Sequence, residues 1–275
     1  MKPTKKKSKP PKDNPLSEAL RKNLYEGINA QVAFNPKKAS DSEGADIIDL
    51  SLDITSLKGI TDEQITATLA NAKLVVCDHP MLQATIKPYK RNVTVIPYAT
   101  KRNIRSRKRA DRPYQLGILA HDNTWRAAAA YDRLLVEGLV KGQDEDGSLT
   151  VFGDPYKTEL EIPLDFVSSF NEFLSTIDVL LITGSPIAPI SSTPVIAAMA
   201  AGNLVLGRSP AVQWLNKPNG VYSINSHDFS MWQSALNSFK PRYVMAQEAN
   251  MRFASDLNDR ALLTVSNIPR ILKGV

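Results

Sequence analysis

The chain has 275 residues, 43% of them hydrophobic and 23% charged, enough to bury a sizeable core in one large domain or two modest ones. No apolar run reaches the roughly 20 residues of a membrane-crossing helix, and the lysine-rich start has no apolar segment behind it, so it reads as no secretory signal. The lone Cys77 rules out an internal disulfide and fits a reducing, cytoplasmic setting, while the net charge of +6 is confined to two short segments.

The first of these is "MKPTKKKSKPPK", with six lysines and no acid, and residues 1–14 read as a disordered basic tail. The second is 101–112, "KRNIRSRKRADR", with seven basic residues and one acid. The rest of the chain is therefore net acidic. Both segments suit nucleic acid or another anionic partner through counterion release, or they serve solubility alone.

From Pro15 to Ala30 the four-residue spacing of Leu16, Leu20, Leu24 and Ile28 predicts a helix, with Asn14 as its cap. Strands follow at "DIIDLSL" (46–52), "KLVVCDH" (73–79) and "NVTVIPYAT" (92–100). Helices separate them, one capped by Thr61 with Gln64 in its first turn, the next opening at Pro80. Residues 15–100 thus form a reduced first lobe, and 101–112 a basic linker.

The pattern restarts in a second lobe, 113–275. "YQLGILAH" is a strand and "TWRAAAAYDRLLVEGLV" an amphipathic helix. "SLTVFG" is a strand, "DFVSSFNEFLSTI" a helix and "DVLLITG" a buried strand. "STPVIAAMAAGNLVL" gives helix and strand, "GVYSIN" a last strand, and the remainder is helical. Alternation of strands and helices in both halves predicts an α/β protein with two doubly wound, Rossmann-like lobes and parallel sheets.

In such sheets ligands gather beyond the carboxyl ends of the strands. The residues there are Asp78-His79, His121-Asp122-Asn123-Thr124, Gly153-Asp154, Gly184-Ser185-Pro186 and Gly207-Arg208-Ser209. Thr193 before Pro194 fits an N-cap, and the unpaired first-turn amides behind it suit a phosphate. The alternative is a helix that is merely well packed. His79 and His121, one from each lobe, have the chemistry of a general base oriented by Asp78 or Asp122, or they cap loops. His227 and Asp154 read as structural. No Cys/His cluster has metal-site spacing, and neither a P-loop nor a G-x-G-x-x-G sequence is present.

The segment "DVLLITGSPIAPISSTPVIAAMAAGNLVLGRS", with its P-V-x-A-A-M-A-A-G core at Pro194–Gly202, resembles the donor-binding segment of GT-B glycosyltransferases. "KLVVCDHPMLQATIKPYKRNVTVIPYAT" and "YQLGILAHDNTWRAAAAYDRLL" agree with that family in order, so the resemblance covers roughly residues 72–265. It implies two GT-B lobes, the first abbreviated, and transfer of a sugar from a nucleotide-sugar donor to an acceptor hydroxyl. His79 or His121 would be the base. Asn123, Arg126, Gly184, Ser185, Ser191, Ser192, Thr193, Arg208 and Ser209 would hold the nucleotide diphosphate. No metal or cofactor is implied, since helix amides offset the leaving diphosphate. Retaining members carry two glutamates eight positions apart at this helix start, where this chain has Pro189 and Ala197. The alternative is a catalytically inactive scaffold working through its basic segments, associated with nucleic acid or a larger assembly.

Overall fold

The computed structural model describes residues 16–51, 59–99, 113–120, 132–153, 160–183, 191–216 and 220–273. Two all-parallel sheets organise them. The first has the order β1 (Val32–Phe34), β2 (Ile47–Leu50), β3 (Leu74–Cys77) and β4 (Val93–Val95). Its central strands are buried on every residue, as expected where helices cover both faces. Register is set by pairs such as Ile47 with Leu74 and Cys77 with Val95.

The second sheet comprises β5 (Leu116–Ala120), β6 (Leu149–Gly153), β7 (Leu164–Val167), β8 (Val179–Ile182), β9 (Leu204–Gly207) and β10 (Val221–Ser223). Its order is β10-β9-β8-β5-β6-β7, reversing direction at β5 and β8 as a doubly wound sheet does. The described helices are α1 (Leu16–Arg21), α2 (Asp62–Ala70), α3 (Pro80–Ile86), α4 (Arg133–Gln143), α5 (Phe170–Thr176), α6 (Thr193–Ala200), α7 (Pro210–Leu215), α8 (Phe229–Phe239), α9 (Tyr243–Ser266) and α10 (Ile268–Leu272).

Local signals account for many boundaries. Thr61 and Gln64 form a reciprocal capping box at α2, each side chain accepting the other's amide. Gly202, at φ +83°, ends α6 in a conformation that a β-carbon would strain. Gly117 lets β5 lie under α5: a β-carbon there would stand 2.3 Å from Ile177 Cγ2 and 2.9 Å from a Phe173 ring carbon.

Three expectations are corrected. The helix expected over 15–30 stops at Arg21 and tightens into a single 3₁₀ turn, Lys22–Tyr25, before Gly27 turns the chain at φ +82°. Leu16, Leu20 and Leu24 are buried nonetheless. Beyond that span Val32–Phe34 form β1, so the first sheet has four strands where three were expected. The expected helix "DFVSSFNEFLSTI" begins instead as β7, and only Phe170–Thr176 is helical.

The two sheets do not keep separate cores. Leu16 and Leu20 of α1 pack with Val195 and Ile196 of α6 in the core of the second sheet. In return, Ala261, Val265 and Ile268 from α9 and α10 join Ile47, Leu74 and Val76 of the first. Asn258 Oδ1 on α9 accepts the Ala99 amide at 3.1 Å, fixing this return crossing.

Candidate functional site

The carboxyl ends of the two sheets face each other, and the contact between them is built around Asp78, the residue after β3. Its Oδ2 accepts the Ser191 hydroxyl at 2.5 Å, the Ser192 amide at 2.8 Å and, more weakly, the Thr193 hydroxyl at 3.5 Å. The Ser192 hydroxyl donates to the Asp78 carbonyl at 2.9 Å, and Ser191 Oγ accepts the Thr193 amide. Asp78, Ser191, Ser192 and Thr193 have no exposed surface.

This shifts the cap of α6 by one residue from the expected Thr193. Ser192 is the N-cap and makes no side-chain cap bond of its own. The carboxylate of Asp78 does that work from the other sheet. A carboxylate at a helix start is favoured for the same reason as a phosphate, since both meet unpaired amides at the positive end of the dipole. Asp78 Oδ1 finds no hydrogen-bond partner among the described residues. The nearby charge is positive: Arg21, fully buried, bonds Asp49 through Nε and Nη2 and the Ile96 carbonyl through Nη1. Burial works against the charge of Arg21, but Asp49, Tyr25 and Asp78 together outweigh it and hold the guanidinium above its ordinary range.

His79, the neighbour of Asp78, is 5% exposed and caps α3: its Nδ1 accepts the Leu82 amide at 3.2 Å. In the neutral ring the proton then sits on Nε2, 3.8 Å from Asp78 Oδ1. Its accepting nitrogen is occupied, which is the capping alternative rather than the geometry of a free base. Ser209 likewise uses its hydroxyl to accept the Val212 amide at the start of α7.

Arg208 lies elsewhere. The strand alternation that turns Leu181 and Leu206 toward α4 and α8 turns Thr183 and Arg208 the same way, away from α6. Arg208 is 4% exposed and its Nη1 is 4.0 Å from Asp132 Oδ2, beyond hydrogen-bond reach. Asp132 caps α4 through the Leu135 amide and meets His227 Nδ1 at 2.9 Å. The expected site therefore falls into two groups: Ser191, Ser192 and Thr193 with Asp78, and Arg208 with Asp132 and His227. His121, Asn123, Arg126, Gly184 and Ser185, with Asp122, Asp154 and the basic segments 1–12 and 101–112, lie outside the described residues.

From sequence, Asp78 has only the part of orienting a histidine. Its capping of α6 has no local signal in the sequence, because the two segments stand 114 residues apart. Among the described residues no cluster of His, Cys, Asp and Glu is arranged to hold a metal ion, and no helix is long and apolar enough to cross a membrane.

No family model and no curated protein matches the sequence. Solved structures do. WaaG, a glycosyltransferase of lipopolysaccharide biosynthesis, matches with a TM-score of 0.60 at 13% identity, over 90% of this chain and 80% of WaaG. The pneumococcal O-GlcNAc transferase GtfA, in complex with UDP and GlcNAc, matches with a TM-score of 0.60 at 9% identity, over 86% of this chain and 54% of GtfA. A structure of accessory secretory proteins 1, 2 and 3 of Streptococcus pneumoniae matches with a TM-score of 0.58 at 8% identity, over 94% of this chain and 57% of the matched one. The chain thus spans little more than half the length of two of these three. Two parallel sheets meeting at their carboxyl edges, with the last helices returning to the first sheet, give this chain the GT-B fold of the glycosyltransferases.

Proposed function

We propose that this chain is a GT-B protein that has given the phosphate-binding end of α6 to its own Asp78, and that it acts by binding a partner rather than by transferring a sugar. The observation that carries this reading is the 2.8 Å bond from the Ser192 amide to Asp78 Oδ2, at a helix start with no exposed surface. A donor diphosphate would have to displace a carboxylate tethered within the same molecule and matched to the same amides. Tethering gives that carboxylate an effective concentration of order millimolar or more, against which a free ligand must compete. Two further facts agree. Pro189 and Ala197 stand where the family resemblance expects two glutamates, and neither has a side-chain acceptor. One chain in the structure of accessory secretory proteins 1, 2 and 3 has the same fold, which supports a partner that is itself a protein.

Sugar transfer from a nucleotide donor is the second reading, favoured by the glycosyltransferases WaaG and GtfA among the matched structures. It requires Asp78 to leave Ser192. The two readings separate in one assay. The full chain is incubated with a panel of nucleotide sugars, and release of nucleoside diphosphate is followed with and without acceptor sugars. The binding reading expects release no faster than a protein-free blank. Turnover above the blank that disappears on adding excess nucleoside diphosphate would overturn it.

A further inference from the structure

The amino ends of the second sheet's strands, opposite the ends that meet Asp78, hold a cavity of about 170 Å³. Pro113, Tyr114 and Leu116 line it from the start of β5, and Val140, Gln143 and Asp144 from the end of α4. Pro113 and Asp144 are exposed while Tyr114, Leu116 and Val140 are buried, so the space runs inward from solvent. A cavity of about 150 Å³ admits a molecule the size of benzene.

The polar groups around it are unevenly satisfied. Gln115 Nε2 donates to the Ser148 carbonyl at 2.9 Å and the Thr150 hydroxyl at 3.1 Å, and the Ser148 hydroxyl donates to Asp165. The Tyr114 hydroxyl and Gln143 Oε1 have no hydrogen-bond partner among the described residues, although Tyr114 is only 8% exposed. Buried oxygens left in this way bear a desolvation cost that a donor would remove.

The field here is negative. Asp144 is the one charged residue of the described lining, and α4 ends beside it with the negative end of its dipole. Asp178, bonded to the Gln115 amide and the Tyr243 hydroxyl, adds its charge at Tyr114. Lys141, in the last turn of α4, does not line the cavity.

We infer that this cavity binds a small organic cation, a primary ammonium carried on a short alkyl stem. The stem lies along Pro113, Leu116, Val140 and the Tyr114 ring. The ammonium faces Asp144 and donates to Gln143 Oε1 and the Tyr114 hydroxyl. This is the chemistry of a free amine or of a lysine side chain presented by a partner. The site is separate from the start of α6 and does not rest on the reading of Asp78.

The test titrates the full chain at pH 7 and constant ionic strength with butylamine, charged at that pH, and with its neutral counterpart butanol. Calorimetry and melting temperature are the readouts. Butylamine is expected to give a saturable response and butanol none. Saturation by butylamine alone assigns a free amine, and saturation by Nα-acetyl-lysine methylamide as well assigns a lysine side chain. Gln143→Leu abolishes the response. Asp144→Asn raises the half-saturating concentration at least threefold, and Gln143→Glu, a carboxylate of the same shape, lowers it at least threefold. The inference fails if butylamine gives no saturable response or if butanol matches it. It fails equally if either Asp144→Asn or Gln143→Glu leaves the half-saturation unchanged, arms that hold even where Gln143→Leu does not fold.

Discussion

Asp78 and Ser192, 114 residues apart in the chain, are joined by a 2.8 Å bond that closes the meeting edges of two parallel sheets. The bond is charge-assisted and fully buried, and the Ser191 hydroxyl strengthens it from the same side. Asp78→Ala strands the Ser192 amide and the Ser191 hydroxyl without an acceptor. The expected loss is roughly 3 kcal/mol of unfolding free energy, the upper range for a hydrogen-bonded charged group. Asp78→Asn keeps one acceptor oxygen and is expected to lose only about 1 kcal/mol. Urea unfolding followed by circular dichroism separates the two, and equal losses would deny the carboxylate its place on the helix.

Behind that contact, Arg21 and Asp49 form an ion pair with no exposed side-chain surface, and the Tyr25 hydroxyl donates to the same carboxylate at 2.5 Å. Removing one partner leaves the other charge buried and alone. Arg21→Ala is expected to destabilise by about 3–5 kcal/mol. Tyr25→Phe, which removes a single donor, is expected to cost about 1 kcal/mol. A cost for Arg21→Ala below that for Tyr25→Phe in the same unfolding assay would contradict the pairing.

How much of this was legible in the sequence depends on distance along the chain. The cap at Thr61, the proline opening α3 and the glycine ending α6 are local signals, and each holds in the structure. β7 was misread because Phe166, Phe170, Phe173 and Leu174 fall at helical spacing, although Phe166 lies on an edge strand. β1 was missed because three residues carry too little alternation to register. The family resemblance located α6 but not its occupant, since no periodicity reports which side chain from another sheet will reach a helix start. For the same reason Arg208 and Ser192 are expected in one site, whereas Ser192 heads α6 and the alternation of β9 turns Arg208 to the face away from it.

Close packing under β5 gives a third test. Gly117→Ala would bring a methyl group to 2.3 Å from Ile177 Cγ2, and neither Ile177 nor Phe173 is free to retreat in a core where both are buried. Overpacking of this kind costs about 1–3 kcal/mol. Scanning calorimetry of Gly117→Ala beside Gly59→Ala provides the contrast. At Gly59 the space is open and only its backbone angle, φ +82°, opposes the change. A smaller loss at 117 than at 59 would argue against the helix–strand approach described.

Alkaline pH gives a fourth. Burial, aided by the charge of Asp178, pushes the Tyr114 hydroxyl up to about 12, and burial with Asp49 moves Tyr25 in the same direction. A group whose folded value exceeds its unfolded one, near 10.0 for tyrosine, contributes its full stability below pH 10 and loses it as pH climbs. Unfolding free energy is therefore expected to fall between about pH 10 and 12. Tyr114→Phe should flatten part of that decline. A decline of the same steepness in Tyr114→Phe and the natural chain would remove Tyr114 from the account.

The return of α9 and α10 to the first sheet has a consequence for the molecule as a whole. A polypeptide that begins against one half, completes the other and comes back to roof the first cannot melt in halves. A gene split within 101–112 would yield one fragment lacking Ala261, Val265 and Ile268 over its strands, and another lacking Leu16 and Leu20 against α6. Each piece would expose an oily face alone, and the two would recover the parent's single transition only when mixed.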